Sequence, residues 1–228
     1  MKRLPRLSSN ALKLIALLSM TVDHIGLLLF PRLRIARILG RIAFPIFAYM
    51  IAEGCRHTSR RARYLSTVFL LGAAMQVLFW YTRHSLYQHV LITFSLSIAL
   101  IFSIQAAIDR GGLWIAAAAA AVLGVGTVCL VLPVLLPLGF AVDYGPCGVA
   151  LPLLIYAGRN RRERLAAAAL GLAAVSFTMS PIQWWSLLSL PLLGLYDGRR
   201  GARRMKYLFY IYYPLHLIIL EGIRLLRR

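Results

Sequence analysis

Acidic side chains are what this chain has least of. Its 228 residues hold 7 Asp and Glu against 26 Lys and Arg, a formal net charge of +19, and charged residues make up only 14% of the whole. Soluble proteins carry about a quarter, so a surface turned wholly to water is excluded. Cysteine is scarce as well. Cys55, Cys129 and Cys147 are odd in number, far apart and set within or beside apolar runs, which excludes a disulfide framework and a zinc-ligand spacing. No polar stretch is long enough for a soluble domain, and no internal repeat is visible. The basic excess does not describe a nucleic-acid binder, because its clusters are short, lack interleaved aromatics and merely separate apolar runs.

What is abundant is hydrocarbon. Hydrophobic residues make up 60% of the chain, and the mean hydropathy is +0.74. Runs of roughly 20 apolar residues are long enough to cross a bilayer, and they predict an all-α, polytopic membrane helix bundle filling residues 1–228 as a single domain. About nine helices are expected, near 11–30, 35–56, 63–82, 90–108, 113–135, 139–158, 165–180, 182–197 and 205–226. The segments 165–180 and 182–197 are short and joined through Ser180-Pro181, so one of them is open to a re-entrant reading. Lys2, Arg3 and Arg6 before the first apolar run imitate a signal peptide. The run is about 20 residues long and no small-x-small site follows, so a retained first helix is expected.

Eighteen of the 26 basic residues fall on the N-terminal side of this topology, which places the N-terminus in the cytoplasm by the positive-inside rule. The exception is the first outer turn, PRLRIARILGR, with Arg32, Arg34, Arg37 and Arg41.

The polar groups inside the apolar runs carry the functional signal. At a rise of about 1.5 Å per residue, His24 lies about 18 Å from the cytoplasmic edge, Arg41 about 21 Å and His216 about 16 Å. Asp143, in DYGPCG, sits closer to the outer surface. Ionisable groups at such depth face the bundle interior or a watered cavity and mark function by default. Lone histidines there are also common interhelical hydrogen-bonding residues; the Asp23–His24 pair with Arg41 at the same level tips the reading toward function. Lys13 and His24 are eleven residues apart and share one helix face. Asp23 lies about 100° round from His24, so its partner is expected from another helix, Arg37 or Arg41. Glu53 and His57, four apart, are open to an ion pair, a metal pair or a ligand contact. Two residues do not make a metal site, so structural pairing is expected and no metal is assigned. Pro45 frees the carbonyl of Arg41 and loosens its helix. Glu221 and Asp197 read as ordinary helix-end charges.

Five separated blocks, LKLIALLSMTVDHIG, GRIAFPIFAYMIAEG, DYG at 143–145, YDGRRG at 196–201 and KYLFYIYYPLHLIIL at 206–220, resemble the TraX family, the pilin N-acetylases of conjugative plasmids. Residues 84–140 carry no block that can be placed. YDGRRG has Asp197 where the family form has Asn, so no function is attached to Asp197. The Lys13-to-His24 spacing is similar to the basic-x10-His signature of the acyltransferase-3 membrane enzymes. The resemblance implies an acetyltransferase of the bacterial inner membrane that takes acetyl-CoA as donor, with a pilin-like protein or a glycan as acceptor. His24 would match the catalytic histidine and Lys13 the basic residue of that signature. Arg41, Asp143 and His216 belong to matching blocks without an assigned role.

In chemical terms His24 is expected as the base, Asp23 as an orienting carboxylate and Arg41 as the oxyanion's partner. The donor's phosphates are expected on the basic rim of Lys13, Arg56, Arg60, Arg61, Arg203 and Lys206, with Arg159 beside them; each is also explained by topology alone. A proton- or ion-coupled transporter and a non-catalytic assembly factor are the other readings. Dependence on a donor, on a gradient, or on neither separates the three.

Overall fold

The computed structural model describes residues 6–199, 201 and 206–227, with the backbone alone for 206, 207 and 209. The elements are α1 (Ser9–Leu28), α2 (Arg34–Gly40), α3 (Ala43–His57), α4 (Arg61–Arg83), α5 (Val90–Arg110), α6 (Leu113–Gly126), a π-helical stretch Thr127–Val131, α7 (Leu132–Leu135), α8 (Gly145–Ala157), α9 (Arg161–Thr178), a 3₁₀ helix Pro181–Leu188, α10 (Ser189–Gly194) and α11 (Lys206–Leu226). No strand occurs among the described residues. Five helical stretches there are long and apolar enough to cross a membrane: Ser9–Leu28, Arg34–His57, Arg61–Arg83, Val90–Arg110 and Leu113–Leu135. The protein is thus an all-α, multi-pass membrane protein. The chain divides into two compact units, residues 1–50 with 168–228, and residues 51–167.

In the first unit, Ser8 caps α1 by accepting a hydrogen bond from the Ala11 amide at 3.3 Å. Between α1 and α2 small residues set the distance. A Cβ on Gly26 would lie 2.8 Å from the Ala36 Cβ, and one on Gly40 would fall 2.1 Å from Asp23 Oδ1. In lipid there is no water to expel from between helices, so close packing and polar contacts hold them. Ser19 on α1 adds such a contact, donating to the Leu39 carbonyl at 2.6 Å. The loosening expected from Pro45 is a true interruption. Arg41 and Ile42 leave the α ladder, their amides turning to Ile38 and Leu39 at 3.1 and 3.4 Å, and α3 starts afresh at Ala43. At its far end the unit closes on itself: the Leu7 amide donates to Leu195, Asp197 to Leu7 and Ser9 to Arg199. Leu12, Ala16, Ile46, Ala48, Leu193 and Leu217 form its interior.

In the second unit, hydroxyls of α5 reach the backbone around α8. Thr93 donates to the Asp143 carbonyl at 2.8 Å and Ser97 to Val149 at 2.8 Å. Glu53 is buried and bonds Arg164 at 2.6 Å, with His57 at 3.6 Å on its other oxygen. The structural pairing expected for Glu53 and His57 is therefore present, with Arg164 as the nearer partner.

Two expected helices and one residue differ. The helix placed at 139–158 begins only at Gly145, because residues 136–144 are a loop held by Leu86, Gln88 and Asp143 backbone bonds, with Tyr144 at φ 61 closing it. The helix placed at 182–197 is a 3₁₀ helix followed by six α residues. Apolarity alone does not distinguish these states. Glu221, read as a helix-end charge, is 2% exposed and paired with Arg224 at 2.6 Å.

His89 precedes α5, 9% exposed, with its ring centroid 3.8 Å from that of Phe79. Burial, and secondarily the charge of Arg83, lowers its pKa from the ordinary 6.5 to about 4. Between those values the unfolded form binds more protons than the folded one, so stability present above pH 6.5 is lost as pH falls toward 4. The melting temperature in detergent is expected to drop across that window, and less steeply in His89→Phe. An equal slope in the variant would assign the acid sensitivity to other groups.

Candidate functional site

The first unit pairs five of the residues singled out in the sequence, in two clusters. Asp23 and His24 are neighbours on α1 and diverge, as a 100° step requires. Asp23 turns to the end of α2: its Oδ2 accepts from Arg37 at 2.6 Å and its Oδ1 from Arg41 at 2.6 Å. His24 turns to α11, where its Nδ1 lies 3.0 Å from Nε2 of His216.

Gly40 makes the first arrangement possible, because the Asp23 carboxylate occupies the space a side chain there would need. Two guanidiniums on one carboxylate leave one net positive charge. Arg41 is 9% exposed, and its NH1 also donates to Gln183 Oε1 at 3.2 Å while its Nε donates to the Arg37 carbonyl at 3.3 Å. The guanidinium is thereby fixed on three sides.

The histidine pair has a direction. His216 Nδ1 lies 3.0 Å from the Tyr212 carbonyl oxygen, which can only accept. His216 therefore carries a proton on Nδ1, and when the ring is neutral its Nε2 presents a lone pair. Hence His24 donates from Nδ1, and the basic nitrogen of His24 is Nε2. The Tyr212 ring stacks on His216 at a centroid distance of 5.3 Å, and its hydroxyl meets Thr21 at 2.7 Å. Two contacts between α1 and α11, with the stacking and the carbonyl bond inside α11, thus fix the orientation of both imidazoles, and an imidazolium formed on His24 would keep a hydrogen-bond acceptor at Nδ1.

The remaining sequence candidates are placed differently. Lys13 is half-buried on α1. Asp143 belongs to the second unit, where it accepts from the Tyr87 hydroxyl at 2.7 Å. Arg56, also there, spends one NH2 on the carbonyls of Ile155, Tyr156 and Gly158 at the end of α8. Arg60 and Arg61 are exposed at the start of α4. Lys206 opens α11, and Arg203 lies outside the described residues. Gln183 was missed. Its only signal was a polar residue inside the apolar PIQWW. Among the described residues no three His, Cys, Asp or Glu side chains converge as a metal would need.

The family model described as TraX protein matches residues 8–224. Among curated proteins, the probable fimbrial assembly protein FimC, serogroup H1, of Dichelobacter nodosus is 27% identical over 93% of this chain and 94% of its own length. The uncharacterized protein RP591 of Rickettsia prowazekii (strain Madrid E) is 55% identical over 40 residues, 18% of this chain and 16% of that protein. No solved structure matches.

Removing the carboxylate tests the arginine cluster. Asp23→Ala leaves two partly buried guanidiniums without their counter-ion, and breaking buried pairs costs about 3–5 kcal/mol. The variant is expected to lose most of its folded yield in detergent, and Asp23→Ala with Arg37→Leu to recover part of it. No recovery would mean that Asp23 acts through something other than charge.

Proposed function

Because this chain belongs to the TraX family, we propose that it is an integral membrane acetyltransferase, carrying an acetyl group from acetyl-CoA to an amine or hydroxyl at the membrane. The observation that supports this best is the His24–His216 hydrogen bond anchored on the Tyr212 carbonyl, next along α1 to a carboxylate-fixed pair of arginines. Acyl transfer needs a base that works near neutral pH and a fixed positive charge for the oxyanion.

In this reading the acceptor nitrogen or oxygen attacks the thioester carbonyl carbon, and its proton passes to Nε2 of His24. The electron pair of the C=O bond moves to oxygen, and that oxyanion is stabilised by the Arg41 guanidinium, which Asp23, Gln183 and the Arg37 carbonyl hold in place. When the intermediate collapses, the C–S bond breaks and the thiolate of CoA takes the proton from His24. Acetylated acceptor and free CoA thiol result, with no net change in protons beyond those of the reactants. His216 acts through His24, fixing its tautomer. Lys13, on the face of α1 that carries His24, and Lys206 are the first unit's candidates for the donor's phosphates.

The pilin N-terminal amine is the acceptor favoured by the family resemblance, in a bacterial inner membrane; the name of the Dichelobacter relative points to pilus assembly as well. That same name supports a second reading, a non-catalytic assembly factor.

Purified protein in liposomes with labelled acetyl-CoA separates them. Thioester loss is expected in the parent, with a fall of about 10²–10⁴-fold in His24→Ala and a smaller fall in His216→Ala, both variants being checked for folding. Equal loss in parent and His24→Ala would remove His24 from the chemistry. Neither binding nor consumption of acetyl-CoA by the parent would favour the assembly reading.

A further inference from the structure

The 3₁₀ helix Pro181–Leu188 is eight residues long, whereas such helices rarely exceed three or four. Its period explains what the length achieves. At three residues per turn, positions three apart eclipse each other, so Gln183, Ser186 and Ser189, where α10 begins, rise in one line. In an α-helix the same residues would fan out by about 60° per step. All three are buried, at 2%, 0% and 0% exposure. Gln183 Nε2, Ser186 Oγ and Ser189 Oγ have no hydrogen-bond partner; of the stripe's side-chain atoms, only Gln183 Oε1 is engaged, by Arg41. An unsatisfied buried polar group costs about 1–3 kcal/mol, and such groups are rare enough that each needs an explanation. Three in register on one helix face point to something that satisfies them in register.

We propose that this stripe is a binding track for an amide-bearing chain, the arm of the thioester donor. The inference rests on the acetyl-transfer reading. Successive groups are spaced by one 3₁₀ turn, about 6 Å, and the track spans about 12 Å from Ser189 to Gln183. An arm with two amides separated by short methylene links offers carbonyls and N–H groups at comparable intervals. The direction also fits the donor. Beyond Ser189 the chain leads to Leu195–Arg199, which bonds Leu7 and Ser9 at the basic N-terminal end of the unit. The other end is Gln183, on Arg41, where the thioester carbonyl is needed. In this structure the stripe is closed over, so the donor's arm enters by moving the 3₁₀ segment aside and exchanges orphaned polar atoms for paired ones.

The test compares Ser186→Val, Ser189→Val and the double variant with the parent in nanodiscs, using three acetyl donors: acetyl-CoA, acetyl-pantetheine and the single-amide thioester S-acetyl-N-acetylcysteamine. Valine replaces the hydroxyl by a methyl and adds a second methyl at a fully buried site, so thermal melting is used to show whether the fold is kept. The double variant is expected to raise KM for acetyl-CoA and acetyl-pantetheine by about tenfold, one tenfold step being worth about 1.4 kcal/mol, while the single-amide donor changes much less. Unchanged KM for all donors, with turnover intact in the parent, overturns the track and leaves the acetyltransferase reading standing. A rise confined to KM for a peptide acceptor would also overturn it, assigning the stripe to the acceptor. A parent that neither binds nor consumes acetyl-CoA overturns both readings. If the valine variants fail to fold, Ser186→Ala and Ser189→Ala carry the same comparison.

Discussion

A single carboxylate holds the first turn of the chain together. Asp23 takes a guanidinium from α2 on one oxygen and another from the helix break on the other. Inside a bilayer neither arginine is tolerable without it, and the carboxylate is not tolerable without them. Much around it follows. Residue 40 must be glycine-sized to leave room for the carboxylate. The interruption after Gly40 lets Arg41 aim across at α1 rather than run on with the helix. Asp23, once committed there, leaves His24 to face α11. Two of the four arginines that interrupt the sequence's positive-inside pattern, Arg37 and Arg41, thus have an internal counter-ion.

The two polar neighbours on α1 therefore serve two separate partnerships. One is ionic, the other a hydrogen-bonded pair of imidazoles. In the proposed acetyl transfer the histidine pair would supply the base and the arginine cluster the charge stabilisation. Here a single helical step of about 100° keeps them from neutralising each other.

Much of this was legible in the sequence. Apolar runs gave the long helices within a few residues, and the helical angle between Asp23 and His24 was enough to send Asp23 to Arg37 or Arg41. The contact of His24 with His216 was not, since it joins residues 192 positions apart and depends on which helices are neighbours. Glu53 showed the same limit. Its partner four residues on was visible, while Arg164, 111 positions away, was not. The 3₁₀ segment hid for another reason. Its polar residues recur every three positions, a period that neither the 3.6 of a helix nor the 2 of a strand brings out. Glu221 was misjudged because distance from a helix end says little about which side of that helix is covered.

The stretch from α6 through the π turn to α7 has a different bearing. It is 23 residues long, and only 11% of its most apolar window is covered by protein. At about 1.5 Å per residue it reaches about 35 Å, beyond the hydrocarbon thickness of about 30 Å. A helix that exceeds its bilayer leans, bends or thickens the lipid around it, and this one can lean only as far as its packing on α5 through Ala121, Val125, Val128 and Cys129 allows. The surplus length is therefore taken up between that one packed face and the lipid along the rest, which couples the α5 seam to the thickness of the membrane.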